Sequence, residues 1–223
     1  MSIKRYDRGK QQFAVIGLGR FGTSLAKTLY AMGKEVLAID IEEERIQAVV
    51  NDVTHAVQAD ATDEDVMKSL GIRNIDVVLV SIGPLQQSIL ATMIAKELGV
   101  KHVVCKAVSE LHGKILEKLG ADRVVYPERD MGTRVAHSLV SGNILEYIEL
   151  SSDYSIIEVI AKKAFVNKTI RELDFRAKYG INIIAIKRGK EINISPNADF
   201  EIHEGDILVA IGSTDKLKEM EEI

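Results

Sequence analysis

The stretch Phe13–Gly22, reading Phe-Ala-Val-Ile-Gly-Leu-Gly-Arg-Phe-Gly, leaves this chain few folds to choose from. Phe13–Ile16 is an apolar run bounded by glycine and reads as a buried strand. Gly17-Leu18-Gly19-Arg20-Phe21-Gly22 has the G-x-G-x-x-G spacing, and a helical pattern follows with Leu25, Ala26 and Leu29 on one face. In such a turn the first glycine permits the tight bend, the second admits a pyrophosphate to the backbone, and the third lets helix and strand approach. The helix N-terminus then offers unpaired N–H groups and a positive dipole end to phosphate. A glycine triplet alone arises by chance, so its context decides. A second strand, Glu35–Ile39, ends at Asp40, about 20 residues on, where an acidic side chain can bind ribose hydroxyls. A Gly-rich structural turn with Asp40 capping the next helix is the competing reading.

The same phrase recurs downstream. Glu42–Val50 reads as a helix with acidic residues in its first turn, where the dipole favours them. His55–Gln58 is a strand ending in Asp60-Ala61-Thr62, and Asp63–Leu70 a short helix closed by Gly71. Asp76–Val80, His102–Lys106 and Arg123–Tyr126 read as three more strands, with helices Gln86–Leu98 and Glu110–Leu119 between them. Strands alternating with helices at this spacing predict an α/β fold, a Rossmann-like doubly wound parallel sheet with right-handed crossovers. Pro127 suits the first position of a further helix, which continues from Asp130 to Leu139.

Ser141-Gly142-Asn143 breaks that pattern, so the expected domains are 1–142 and 143–223. In the second, Ile144–Leu150 and Ser155–Ile160 read as strands and Asn167–Leu173 as a helical turn. Ile181–Lys187 and Glu191–Ile194 form a hairpin around Arg188-Gly189-Lys190. Ile207–Ile211 adds a strand and Lys216–Glu221 a closing helix. This is a smaller α+β domain, thin for a lone core and expected to bury a face against something else.

The chain has 223 residues, 46% of them hydrophobic, which is ample for one or two cores. Its net charge of −4 gives no basic excess for a nucleic acid polymer or an anionic membrane surface. The charged start, Met1–Gln12, is unlike a secretory signal, and a single cysteine, Cys105, excludes an internal disulfide framework; both fit a cytoplasmic setting. Without that signal the sequon at Asn167-Lys168-Thr169 is set aside. Val77–Ala95 is uncharged and near spanning length, but Gly83-Pro84 and its glutamines favour strand, turn and helix over a membrane span. The histidines form no H-E-x-x-H or Cys/His cluster, and Cys105 reads as an inert core thiol.

The carboxyl ends of the parallel strands line the ligand crevice of such a sheet. That places Gly17, Leu18, Gly19, Arg20, Phe21 and Gly22 together with Asp40, Ile41, Asp60, Ala61, Thr62, Ser81, Ile82, Gly83 and Lys106. The set suits a nucleotide: small and apolar groups for a base, Asp40 for ribose, and N–H groups with Arg20 for phosphates. It contains no acid–base pair of a hydride-transfer enzyme, although an NAD-dependent oxidoreductase or an NAD(H)-binding redox sensor is the alternative that the fold allows. Asp40 and the glycines accept ATP, ADP, NAD or NADH alike. Glu128 reads either as a first-turn helix carboxylate or as an oxygen ligand for a hard divalent cation near phosphates.

These motifs together resemble the cytosolic regulatory subunits of bacterial potassium uptake systems of the Ktr/Trk type, built from an RCK (KTN, or TrkA-N) domain and a TrkA-C domain. Besides the Gly loop, Asp40 and Asp60-Ala61-Thr62, the resemblance rests on Leu70-Gly71-Ile72, Leu119-Gly120-Ala121-Asp122 and Pro127-Glu128-Arg129-Asp130-Met131-Gly132. Leu173–Gly180 and Glu204–Val209 followed by Gly212 complete it, and the group it is most similar to is the KtrA-like one. The resemblance implies a non-enzymatic gating subunit that forms a homo-octamer, a tetramer of dimers, beneath a membrane potassium pore of the KtrB type. ATP or ADP in the Rossmann cleft then changes the shape of the ring. It further implies Mg or Ca at Glu128, Arg20 on the terminal phosphates, and a peripheral position at the inner face of the membrane. In the second domain it implies a cyclic di-AMP effector site at Ile170, Phe175, Arg176, Asn182, Ile183 and Pro196.

Overall fold

The computed structural model describes residues 11–140 and 143–222, so Met1–Lys10 and the break residues Ser141 and Gly142 lie outside the described residues. The chain divides into two compact units, 1–128 and 129–223.

In the first unit the order is β1 Gln12–Ile16, α1 Arg20–Ala31, β2 Glu35–Asp40, α2 Glu43–Gln47, β3 His55–Gln58, α3 Glu64–Ser69, β4 Val77–Val80, α4 Leu85–Glu97, β5 His102–Lys106, α5 Glu110–Lys118 and β6 Arg123–Val125. The six strands form one parallel sheet in the order β3-β2-β1-β4-β5-β6, the doubly wound arrangement expected. Strand alternation sends Ala14, Ile16, Ile39, Val78 and Val80 into one apolar layer and Val15, Val36, Ala38 and Leu79 into another, so both faces are covered. Val77–Ala95 resolves into β4, a turn at Pro84 and α4. Among the described residues no helix is long and apolar enough to cross a membrane.

One detail differs from the sequence reading. The helix expected over Glu42–Val50 stops at Gln47, because tighter turns follow, with Val49 N–H donating to Ile46 O and Asp52 N–H to Val49 O. Those turns aim Val49 and Val53 into the core, where both are buried. Cys105 is fully buried, 3.3 Å from Thr92 Oγ1, and burial pushes its thiol up to about 11.

The helix α6, Pro127–Val140, starts at the end of the first unit and continues into the second. The second unit then runs β7 Ile144–Glu149, β8 Tyr154–Ile160, β9 Lys168–Thr169, α7 Ile170–Leu173, α8 Phe175–Tyr179, β10 Asn182–Arg188, β11 Glu191–Ile194, β12 Glu201–Ile202, β13 Ile207–Ser213 and α9 Thr214–Glu222. Five strands pair antiparallel in the order β11-β10-β13-β8-β7, and β12 pairs with β9 apart. The hairpin turns at Gly189, whose φ of 60° suits glycine. The short pair β9–β12 and helix α8 lack the period that would mark them in the sequence; Thr169 and Glu172 hold α7 by a reciprocal capping box.

Candidate functional site

At the carboxyl ends of β1 to β5 the first unit opens into a cleft of about 610 Å³. It sits where the strand order reverses between β1 and β4, the position at which open α/β sheets bind ligands. Gly17, Gly19, Arg20, Phe21, Asp40, Ile41, Asp60, Ala61, Thr62, Ser81, Ile82, Gly83, Lys106 and Glu128 all line it.

The glycine turn explains itself atom by atom. Gly17 has φ +90°, and a Cβ there would stand 2.9 Å from the Ser81 carbonyl carbon. A Cβ on Gly22 would stand 1.9 Å from Gly17 O, so only glycine lets α1 pack this close to β1. Gly19 meets nothing within 4 Å, and its backbone faces the cleft as the N-cap of α1. Fold packing therefore accounts for Gly17 and Gly22 but not for Gly19, where the open cradle fits a close-lying diphosphate. Leu18 departs from its expected role. Its side chain is buried in the second apolar layer and its N–H donates to Asp40 Oδ2 at 2.6 Å, so it holds the turn rather than lining the cleft. Gly22 likewise acts beneath the cleft wall.

Asp40 is 5% exposed. Its Oδ1 accepts from Glu42 N–H at 2.9 Å, and Arg45 approaches Oδ2 at 3.3 Å. A carboxylate has about four acceptor positions; Leu18 and Glu42 take one each and Arg45 Nη1 also reaches Oδ1 at 3.5 Å, so a sugar hydroxyl would compete with the long Arg45 contacts. Arg45 and Glu42 also line the cleft, and the sequence reading passed over both. A cation five residues after the strand-end acid was the available signal for Arg45. Asp60 Oδ1 accepts from Thr62 N–H and Oγ1, and those two bonds lower its pKa. Ser81 Oγ is buried in the cleft wall and has no hydrogen-bond partner among the described residues.

On the phosphate side, Lys106 Nζ donates to Glu128 Oε1 at 2.5 Å. Lys106 is mostly covered, 14% exposed, whereas Glu128 is 62% exposed. That hydrogen bond, aided by the charge of Arg20, holds the Glu128 carboxyl below its ordinary range. Among the described residues Arg20 makes no ion pair, and no group of three or more His, Cys, Asp or Glu side chains is placed to hold a metal ion. Glu128 would hold a divalent cation only together with ligand oxygens and in competition with Lys106.

In the second unit, Arg176 and Asn182 are exposed and Ile170, Ile183 and Pro196 half-buried. Phe175 is 2% exposed and packs edge-on against Phe165 at 5.1 Å. A cleft of about 310 Å³ takes in Phe175 but none of the other five residues.

The TrkA-N domain family matches residues 13–127 and the TrkA-C domain family residues 154–223. The Ktr system potassium uptake protein C of Bacillus subtilis (strain 168) is 51% identical over 95% of this chain and 96% of its own. The Ktr system potassium uptake protein A of the same organism is 49% identical over 95% and 96%. Among solved structures, the GsuK channel bound to NAD superposes with a TM-score of 0.53 and 25% identity over 96% of this chain, and GsuK bound to ADP with 0.52 and 25% over 60%. The chain spans only 38% and 35% of those two channel chains.

Proposed function

The chain belongs to the TrkA-N and TrkA-C family that includes the Ktr potassium uptake proteins, and on that premise we propose that it is the nucleotide-binding gating subunit of a Ktr-type potassium transporter. The family is one of transporter subunits, not enzymes, which sets the oxidoreductase alternative aside. The observation that carries the reading is the open cradle at Gly19 in a cleft that buried Asp40 and Arg20 also line, in a chain about half identical to Ktr proteins.

In this reading ATP or ADP binds with its diphosphate over Gly17–Gly19, its ribose on Asp40, its base near Ile41, Asp60, Ala61 and Thr62, and its terminal phosphate toward Arg20, with the third phosphate of ATP also toward Lys106. Glu128 would hold a divalent cation, Mg or Ca, beside those phosphates, where the ion would supply positive charge against them. Octameric rings of this subunit, assembled from dimers, sit on the cytoplasmic face of a membrane potassium pore. The nucleotide gates by population shift: the ring takes two shapes, and ATP and ADP bias them only as far as each binds one shape better. Cyclic di-AMP is a further effector at the TrkA-C unit, held by Ile170, Phe175, Arg176, Asn182, Ile183 and Pro196. The structures of GsuK with NAD and with ADP support an adenine nucleotide of either class in a cleft of this fold.

The test is thermal unfolding of the full chain with ATP, ADP, NAD, NADH and cyclic di-AMP, each with and without magnesium or calcium. A ligand that binds the native state raises the midpoint according to its concentration over its Kd. ATP and ADP are expected to give the large shifts. Asp40→Asn keeps the side-chain shape but gives up a charged acceptor, a loss of about tenfold or more in nucleotide affinity. Shifts from NADH alone would instead make the protein a redox sensor.

A further inference from the structure

The cleft's two best-anchored cations are already paired before any ligand arrives. Arg45 lies against Asp40, and Lys106 against Glu128. The two pairs differ in what they leave behind if they break. Asp40 is buried and keeps the N–H groups of Leu18 and Glu42. Glu128 stands largely in water at the start of α6, so losing its lysine strands no buried charge. Lys106 is the more enclosed partner, fixed at the end of β5, and it faces the cleft that Arg20 also lines. Among the described residues, a phosphate entering there meets Arg20, which makes no ion pair, and Lys106, which is held by a carboxylate.

We propose that Glu128 is an internal competitor of the nucleotide for Lys106, and that exchange of this ion pair for a Lys106–phosphate contact sets how strongly the cleft prefers a triphosphate over a diphosphate. A diphosphate that reaches only the glycine turn and Arg20 leaves the pair intact. A further phosphate draws Lys106 away and leaves Glu128 to solvent or to a cation. A divalent cation thereby acts by relieving Glu128 of its lysine as well as by supplying positive charge. This rests on the reading of the cleft as a nucleotide site, and it assigns Lys106 and Glu128 opposed parts within that site.

The experiment is calorimetric titration of the full chain with ATP and with ADP in EDTA, for wild type, Glu128→Gln, Lys106→Met and the double variant. Glu128→Gln is expected to tighten ATP by about threefold, the scale of an exposed ion pair, with less effect on ADP. Lys106→Met should weaken ATP more than ADP, and the double variant should match Lys106→Met. Two outcomes overturn the proposal. One is ATP affinity unchanged or weakened in Glu128→Gln without metal, which would leave Glu128 as a cation ligand only. The other is the same gain in the Lys106→Met background, which would mean through-space repulsion without exchange. Failure of wild type to bind either nucleotide would instead sink the nucleotide reading itself. Glu128→Gln changes an exposed side chain, so it reports even where Lys106→Met folds poorly.

Discussion

The two units place their polar chemistry differently. In the first, the backbone makes the site: a left-handed Gly17, a helix N-terminus at Gly19 and strand ends brought level by parallel pairing. Side chains such as Asp40 then tie that backbone in place. In the second, side-chain pairs do the tying and the sheet keeps open edges at β11 and β7, with Ile192, Ile194 and Ile148 exposed. Arg188 forks onto buried Asp206 at 2.8 and 2.7 Å, donates to Glu201 O at 2.9 Å and lies over the Phe200 ring at 5.1 Å. Backbone constraints force particular residues at particular spacings, whereas side-chain clamps allow many solutions. The first kind of site writes a motif and the second does not.

The sharpest way to break this comparison is to add one methyl group at two glycines of one motif. Gly22→Ala drives a Cβ into Gly17 O, and neither backbone can yield without shifting α1, so a loss of about 3 kcal/mol or more is expected in denaturant unfolding. Gly19→Ala meets no protein atom and has an ordinary φ of −66°. Its stability should stay within about 0.5 kcal/mol of wild type, while the midpoint rise with ATP or ADP is lost. Equal destabilisation by both would reduce the motif to a structural turn.

The second unit should break at a side chain instead. Arg188→Ala leaves Asp206, 1% exposed, with only the His203 N–H, and about 2 kcal/mol is expected to be lost, less than for a fully buried pair because Arg188 is itself partly in water. Burial pushes the Asp206 carboxyl up, but the Arg188 and His203 hydrogen bonds and nearby charges more than offset this, so its pKa lies below the ordinary 3.8. A depressed carboxylate pKa contributes stability above the unfolded value, lost as pH falls through the folded one. Without Arg188 the folded pKa of Asp206 rises toward the unfolded one, so this acid-linked loss should shrink, read by circular dichroism unfolding as a shallower fall of stability with pH through the carboxylate range.

What the sequence made legible follows the same division. Gly17, Gly19, Gly22 and Asp40 were readable because turn, close approach and strand-end position each restrict residue type. Leu18 was placed in the site by adjacency alone, and the direction of its side chain into the core depends on the turn's backbone, which no residue spacing reports. Arg45 was missed because a helix-surface arginine looks the same whether it meets solvent or Asp40. Phe175 followed a family position, and its burial against Phe165 is a tertiary fact. The strands of the antiparallel sheet were readable from alternation, but the pair β9–β12, two residues each, is too short to show a period.

The smallest expected effect separates the units by pH. His112, in α5 of the first unit, is 1% exposed; its Nδ1 accepts from Val108 N–H at 3.4 Å, and its Nε2 has no partner among the described residues. Burial lowers its pKa from 6.5, so as pH falls through that value the folded chain takes up this proton less readily than the unfolded chain does. The unfolded state then binds more protons, and stability is full above pH 6.5 and falls below it, by at most about 1.4 kcal/mol per pH unit. The Asp206 loss opens only in the carboxylate range, so mild acid should weaken the first unit first. His112→Asn keeps an acceptor near Val108 and removes the titration. The opening free energy read from amide exchange in α5 and β5, after correction for the intrinsic pH dependence of exchange, should become flat between pH 7 and 5 in that variant, whatever its absolute stability. A slope that persists there would assign mild-acid sensitivity to another group and erase this difference between the units.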